Sequence, residues 1–266
     1  MSYAILAPSD LVLAAALLLI NGVMSIVFRL GLERTLLIAS VRMVVQLALI
    51  GLVLRFVFAQ ELPWWTAALA LGMIAAAGYE IMARQERPLA GWMAYGLGTG
   101  ALLISGVATT VFAVAAVISP VPWYAPRYVL PVLGMVLGNS MTGVALALNA
   151  VTDWGYREQA AIEAQLALGA TRFEAFGSVL KRALKTGMMP IINAFAASGI
   201  VSLPGMMTGQ ILAGVDPVEA TKYQVMIMFV IASATALAVV MGAFGAVYLL
   251  TDERHRLRLD RLAAKK

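Results

Sequence analysis

Arg42 with Gln46, and Glu80 with Arg84, are polar pairs at i,i+4 spacing inside otherwise apolar stretches. A cation in hydrocarbon costs roughly 2.5–3.5 kcal/mol on insertion scales, so Arg42 has to snorkel, pair or face a cavity. Gln46, one helical turn on, extends the same polar stripe. Glu80 precedes Arg84, the order that favours an intrahelical ion pair of about 0.2–0.5 kcal/mol in water. Structural pairing is its first reading and substrate contact its second; an Arg42–Glu80 bridge between spans would neutralise one unit of charge. Further along, Pro204 and Gly205 interrupt another apolar run. Pro removes a backbone hydrogen bond and Gly tolerates unusual backbone angles, so a helix should kink or break there. Ser202, Thr208 and Gln210 could satisfy the freed backbone groups. The segment is therefore a candidate gate, with a packing kink as the alternative.

Met188, Met189, Met206, Met207, Met226 and Met228 crowd the same part of the chain. Thioethers suit Cu(I) better than iron, and flexible Met side chains fill gaps in packing, which is the first expectation for most of them. The only His is at position 255 and there is no Cys. A metal ion crossing here would meet oxygen donors such as Glu80, Asn139, Ser140 and Gln210, or would carry its own ligands. No resident metal is assigned. Enzymatic chemistry is not expected either: there is no Ser/His or Cys/His pair, no H-E-x-x-H and no G-x-x-x-x-G-K-[ST] loop to cradle phosphates.

The elements that must position these residues follow from composition. Of 266 residues, 62% are hydrophobic and 12% charged, with a mean hydropathy of +0.88. Soluble domains carry about 25% charged residues, so half the charge needed for a water-facing surface is missing. Disorder and a disulfide scaffold are excluded by the same composition. Runs of spanning length lie at about Leu11–Phe28, Leu36–Ala59, Trp64–Ala83, Met93–Ser119, Tyr128–Val151, Gly187–Ala213 and Tyr223–Leu250. The expectation is an all-α, polytopic membrane protein of about seven transmembrane helices, a single domain over residues 1–266. The first run lacks the basic flank of a cleavable signal peptide and is expected to stay.

Alternating the connections across a bilayer puts 15 of the 19 Lys and Arg residues on one side. By the positive-inside rule that side is cytoplasmic, with the N-terminus out and the C-terminus in. The net charge of +5 then belongs to loops beside headgroups and to a basic tail over residues 251–266, ending in Lys265 and Lys266, and calls for no nucleic acid. Trp64, Trp65, Trp92, Trp123 and Tyr124 fall at span ends, as an aromatic belt requires. Asp216-Pro217-Val218-Glu219 is an N-cap signal for the last helix. Gly96/Gly100 and Gly134/Gly138 have small-xxx-small spacing, a weak sign of close helix approach among 23 Gly.

Residues 152–186 form the one substantial cytoplasmic segment. Tyr156–Leu168 reads as an amphipathic helix, Gly169 stops it, and Thr171-Arg172-Phe173-Glu174 is a capping box that starts a second helix through Lys185. The result is a helical elbow; a solvated hairpin near headgroups is the plain alternative. Glu163-Ala164-Gln165-Leu166-Ala167-Leu168-Gly169-Ala170-Thr171 resembles the E-A-A-x-x-x-G loop of ATP-binding-cassette (ABC) permeases, with Gln at its third position. Val179-Leu180-Lys181-Arg182 lacks the Pro of the later importer step. A closer resemblance, over essentially the whole chain, is to the FetB-type permease family. It is carried by Gly134-Met135-Val136-Leu137-Gly138-Asn139-Ser140-Met141, by the elbow, and by the run from Leu203 through Pro204-Gly205-Met206-Met207-Thr208-Gly209-Gln210 to Pro217. Arg42 with Gln46 and Glu80 with Arg84 match its pattern as well.

That resemblance implies a permease subunit in the inner membrane, with bacterial relatives assigned to iron export and plant relatives linked to aluminium tolerance. It implies a separate cytoplasmic ATPase that binds ATP and Mg, no cofactor on this chain, and a homodimer of permeases around the pathway. It places coupling at Glu163, Ala164, Leu168, Gly169, Ala170, Thr171 and Glu174. The residues' own chemistry places the pathway or gate at Arg42, Gln46, Glu80, Arg84, Asn139, Ser140 and Pro204–Thr208 with Gln210. A secondary transporter using Arg42 and Glu80 for ion or proton coupling, without an ATPase, is the competing reading.

Overall fold

In hydrocarbon every backbone N–H and C=O must be paired inside its own segment, so apolar spans form helices. The computed structural model describes residues 7–60 and 62–264; Lys265 and Lys266 of the expected basic tail lie outside them. The described residues form helices joined by turns, with no strand beyond isolated bridges. The chain divides into two units, residues 1–61 with 212–214, and 62–211 with 215–266.

The first unit is built on α1 (Pro8–Val27) and α2 (Glu33–Gln60). Their turn is tied by Ser25, which is buried. Its hydroxyl donates to Glu33 Oε2 at 2.8 Å and accepts from the Leu32 N–H at 2.9 Å. Arg29 and Gly31 turn the chain in left-handed conformations.

The second unit contains α3 (Pro63–Ala83), α4 (Met93–Phe112, continued by a π-helical turn over Ala113–Ile118), α5 (Pro126–Arg157), α6 (Gln159–Ala167), α7 (Arg172–Ala175), α8 (Gly177–Ala197), α9 (Gly205–Leu212, all but its last residue) and α10 (Pro217–Leu249). Helix α5 is the hub and packs on α3, α4, α8 and α10. Leu133, Leu137, Val144, Leu148 and Val151, at i,i+3/i+4 spacing, form its buried seam. Where α5 crosses α8, a Cβ on Gly143 would lie 2.7 Å from the Gly187 carbonyl, and one on Gly187 would lie 2.8 Å from the Gly143 carbonyl. These two glycines set the close approach. Gly96, Gly100 and Gly138, picked out by their spacing, have no neighbour that near.

Among the described residues six helices are long and apolar enough to cross a membrane: α1, α2, α3, α4 with its extension, α5 and α10. The expected span Gly187–Ala213 is not one helix. Helix α8 starts upstream, at Gly177, and ends at Ala197; α9 resumes at Gly205. The break is made before Pro204. Ser198 donates its hydroxyl to the Ala194 carbonyl at 2.7 Å, Gly199 takes φ +87°, and the Gly199 N–H donates to the Ser202 carbonyl at 2.9 Å. Pro204 then serves as the start of α9, its carbonyl accepting the Thr208 N–H at 3.0 Å.

Other boundaries shift too. Tyr156 belongs to α5, which runs without interruption through Arg157. The second elbow helix does not end at Lys185: past Phe176 it continues as α8 to Ala197. Asp216 caps α10 as expected, accepting from Val218 and Glu219 N–H groups at 2.9 and 3.3 Å. The described part of the tail is tied to the body of the second unit. Ala263 N–H donates to the Pro88 carbonyl at 2.9 Å, Ala90 N–H to the Arg261 carbonyl at 2.7 Å, and Leu257 and Leu262 pack on the core.

Candidate functional site

Two places in the second unit combine exposed or unpaired chemistry with a rigid frame: the elbow between α5 and α8, and the break between α8 and α9.

At the elbow, Glu158 ends α5 and begins α6, and its carboxylate forms an ion pair with Arg182 of α8. The Arg182 guanidinium lies 4.3 Å from the centre of the Trp154 ring, and Phe176, fully buried, packs against Gly155. Ile162 anchors α6 in the core. The other face of α6 is open. Glu163 accepts from the Gln159 amide at 2.9 Å, and Ala164 is exposed beside it. Leu168, at the tip, is 88% exposed. Gly169 makes the turn at φ +93°, a conformation Gly adopts without the cost a Cβ imposes. Ala170 follows, and the capping box forms as the sequence predicts. Glu174 Oε2 accepts from the Thr171 N–H at 2.8 Å and from its hydroxyl at 2.7 Å. The backbone N–H of Thr171 is the main cause that holds the Glu174 carboxyl below its ordinary range.

Helix α7 also touches the tail, a contact the sequence reading missed. Arg172 directs both its backbone N–H and its Nε to His255 Nδ1, each at 3.3 Å, and stacks 4.9 Å from the centre of the Tyr248 ring. Asp252 accepts from Arg254 and Arg256 N–H groups at 2.9 Å, and the Arg256 N–H in particular lowers its carboxyl pKa. The interleaved acids and arginines of residues 252–261 were the available signal for a folded tail.

At the break, a cavity of about 530 Å³ opens between the end of α8, the start of α9 and the first turns of α10. Pro204 and Met207 line it, as do Phe195, Thr221, Gln224 and Phe229, which sequence reasoning did not single out. Gln224 is 8% exposed and its Oε1 meets no protein donor; Gln210 Oε1 is likewise buried without one. Gly205 is exposed at the first turn of α9, and the Thr208 hydroxyl donates back to the Pro204 carbonyl at 3.2 Å. Met206, Met226 and Met228 pack on the neighbouring apolar cluster, as gap-fillers do.

Glu80 and Arg84 form their i,i+4 pair at 3.8 Å. Ser140 is fully buried and shares a hydrogen bond of 3.3 Å with Thr235 of α10, so it joins two helices. Asn139 faces outward, its amide bonded to the Met135 carbonyl at 2.8 Å. Arg42 and Gln46 are exposed on α2, in the first unit. Among the described residues no three His, Asp, Glu or Cys side chains gather as a metal site.

Among the described residues, six span-length apolar helices, with every longer element helical, define a multi-pass integral membrane protein. The profile of the uncharacterised protein family UPF0014 matches residues 8–249, and the chain belongs to that family. It is 35% identical over 216 residues to the UPF0014 membrane protein YjkA of Bacillus subtilis, covering 80% of this chain and 83% of the relative. It is 29% identical over 256 residues to the "Probable iron export permease protein FetB" of Escherichia coli, covering 96% of both chains. The protein ALUMINUM SENSITIVE 3 of Arabidopsis thaliana is 31% identical over 231 residues, covering 87% of this chain and 82% of the relative. No solved structure matches the chain.

Proposed function

We propose that this chain is the permease subunit of an ABC transporter in the inner membrane, N-terminus out and C-terminus in, and that two copies form a pathway for iron export. A separate cytoplasmic ATPase would bind ATP and Mg and grip the elbow. The observation that carries this reading is Leu168: a large apolar side chain, 88% exposed, at the tip of an elbow that an ion pair and a buried Phe176 hold to the body of the protein. Exposed apolar groups on a rigid polar frame are what a protein partner covers. The cargo rests on the name of the Escherichia coli relative.

Helix α8 supplies the transmission. It starts at the elbow, crosses α5 at Gly143–Gly187, and ends where the cavity begins, so a push on α6–α7 would tilt α8 about that crossing and change the break.

In detergent, the chain should copurify with an ABC ATPase carrying a phosphate-cradling G-x-x-x-x-G-K-[ST] loop, and the pair in proteoliposomes should export Fe(II) only with ATP. Iron flux through this chain alone, driven by an ion gradient and indifferent to ATP, would replace the proposal with secondary transport. Because the chain has no Cys, a single Leu168→Cys substitution gives a clean test of topology: it should react with an impermeant maleimide from the cytoplasmic side only.

A further inference from the structure

One face of α10 is left uncovered by the rest of the second unit. Leu237, Val240, Phe244 and Tyr248 recur there at i,i+3/i+4 spacing, and all four are exposed. On a helix long and apolar enough to span a bilayer, such a stripe faces acyl chains. Phe173 of α7 adds its ring beside Phe244, with centroids 5.4 Å apart. Where the stripe ends, at Tyr248 and Leu249, a polar cavity of about 580 Å³ begins between α7, the end of α10 and the tail.

Arg172, Arg254, Arg256 and Arg261 line this cavity together with Asp252 and Glu253, so guanidinium groups outnumber carboxylates by two. Asp252 holds Arg256 through its Nε at 2.7 Å, and Arg261 gives one Nη to the Leu249 carbonyl at 2.7 Å. Arg172 commits its Nε and backbone N–H to His255, and its two terminal amino groups remain for a ligand. The Arg254 guanidinium is exposed and meets no acceptor among the described residues. Guanidinium groups present paired N–H donors in the geometry that phosphate oxygens accept. Helix α3 sets the depth of the cavity. Its 21 residues extend about 31 Å, the thickness of the hydrocarbon layer. Just past its end, the Pro88 carbonyl and the Ala90 N–H hold Ala263 and Arg261 of the tail. Arg261 and the cavity it lines therefore stand at headgroup level, beside a stripe suited to acyl chains.

We propose that the cavity is a site for one anionic phospholipid, with its phosphate held by Arg172 and Arg254 and an acyl chain laid along the Leu237–Tyr248 stripe. A zwitterionic lipid would bring a further cation to the same arginines, and a free phosphate would leave the stripe bare. A basic tail resting on headgroups in general would need no cavity and would favour no particular arginine. Arg258 is the internal comparison: it belongs to the same tail, pairs with Asp260 at 2.8 Å, and does not line the cavity.

The test uses the full chain alone in a neutral maltoside detergent, without ATPase or ATP, and native mass spectrometry to count retained lipids. Offered phosphatidylglycerol and phosphatidylcholine of equal chain length in equal amounts, the chain should hold one phosphatidylglycerol in about tenfold preference. Arg254→Gln should cut that preference about fivefold and leave the melting temperature unchanged, since it breaks no side-chain bond among the described residues. Arg172→Gln combined with Arg254→Gln should abolish the preference, whereas Arg258→Gln, which removes the same charge from outside the cavity, should keep it. Equal retention of the two lipids, equal losses in Arg254→Gln and Arg258→Gln, or full preference in the double variant would overturn the proposal. So would displacement of the lipid by glycerol 3-phosphate at the lipid's own concentration, which would make this a site for free phosphate. Nothing here requires an ATPase, so failure of the elbow to capture one would sink the transporter reading and leave this result standing.

Discussion

The crossing of α5 and α8 at Gly143–Gly187 and the break at residues 198–204 lie a few turns apart along the same stretch of chain, yet they are built on opposite principles. At the crossing, glycines let two backbones touch, and Thr235 and Val239 of α10 close over Gly143, leaving no room for a methyl group. At the break, backbone groups leave the helical ladder, a cavity opens, and a glutamine oxygen is left without a protein partner. Close-packed contacts resist deformation and under-packed ones are where local opening is least costly. The difference assigns α8 a fixed middle and an adjustable end.

That contrast can be broken at its fixed point first. Gly187→Leu should cause the largest effect of all, because its side chain must enter space held by the Gly143 carbonyl and Val239. Overpacking of this kind typically costs about 1–3 kcal/mol, and more where backbone cannot yield. Loss of the monodisperse peak in fluorescence-detected size-exclusion chromatography, or a sharply lowered melting temperature, is the expected outcome. An unchanged melt would mean that the crossing is not tight.

Next comes the elbow. Leu168→Glu should leave the melting temperature within a degree or two of the parent, since the side chain is exposed, while ATPase capture in detergent falls at least tenfold. A fall in stability with capture intact would make Leu168 structural.

The adjustable end gives a smaller, comparative effect. Gly199 adopts φ +87°, which costs a residue with a Cβ about 1–2 kcal/mol, whereas Pro204 only begins α9. Gly199→Ala should therefore lower the melting temperature more than Pro204→Ala. The reverse order would return the cause of the break to Pro204.

The smallest effect is at the capping box. Glu174 has its pKa lowered in the folded protein, so its contribution to stability is present at neutral pH. It is lost as the pH falls below the ordinary carboxylate range toward the lowered value. Thr171→Ala should cause a slight loss of stability at pH 7 and flatten that acid dependence, readable by melts between pH 7 and pH 3. If parent and variant lose stability in parallel, the Thr171–Glu174 contact is not what titrates.

Local signals were legible and long-range ones were not. Asp216-Pro217 and Thr171–Glu174 act within one helical turn, through backbone N–H groups a few residues away, and the structure reproduces both. Gly169 as a stop is equally local, because its φ of +93° concerns a single residue. The glycine spacing misled, because a small residue marks a crossing only if another helix arrives there. Gly96, Gly100 and Gly138 have none that close, and Gly187 looked like the start of a span. The break was anticipated from Pro204, yet the turn belongs to Ser198–Ser202, where a side chain competes with the backbone ladder. Gln224 gave no signal at all: one polar residue in an apolar helix means little until its surroundings are known.

Composition and periodicity alone determined that this chain is helical and lives in a bilayer, because unpaired backbone in hydrocarbon is too costly for any other local structure. Cap residues alone determined where α7 and α10 begin. Which glycines touch, which span fails to be continuous, and which side chains line a cavity were decided by tertiary structure, because each depends on atoms brought together from helices far apart in the sequence.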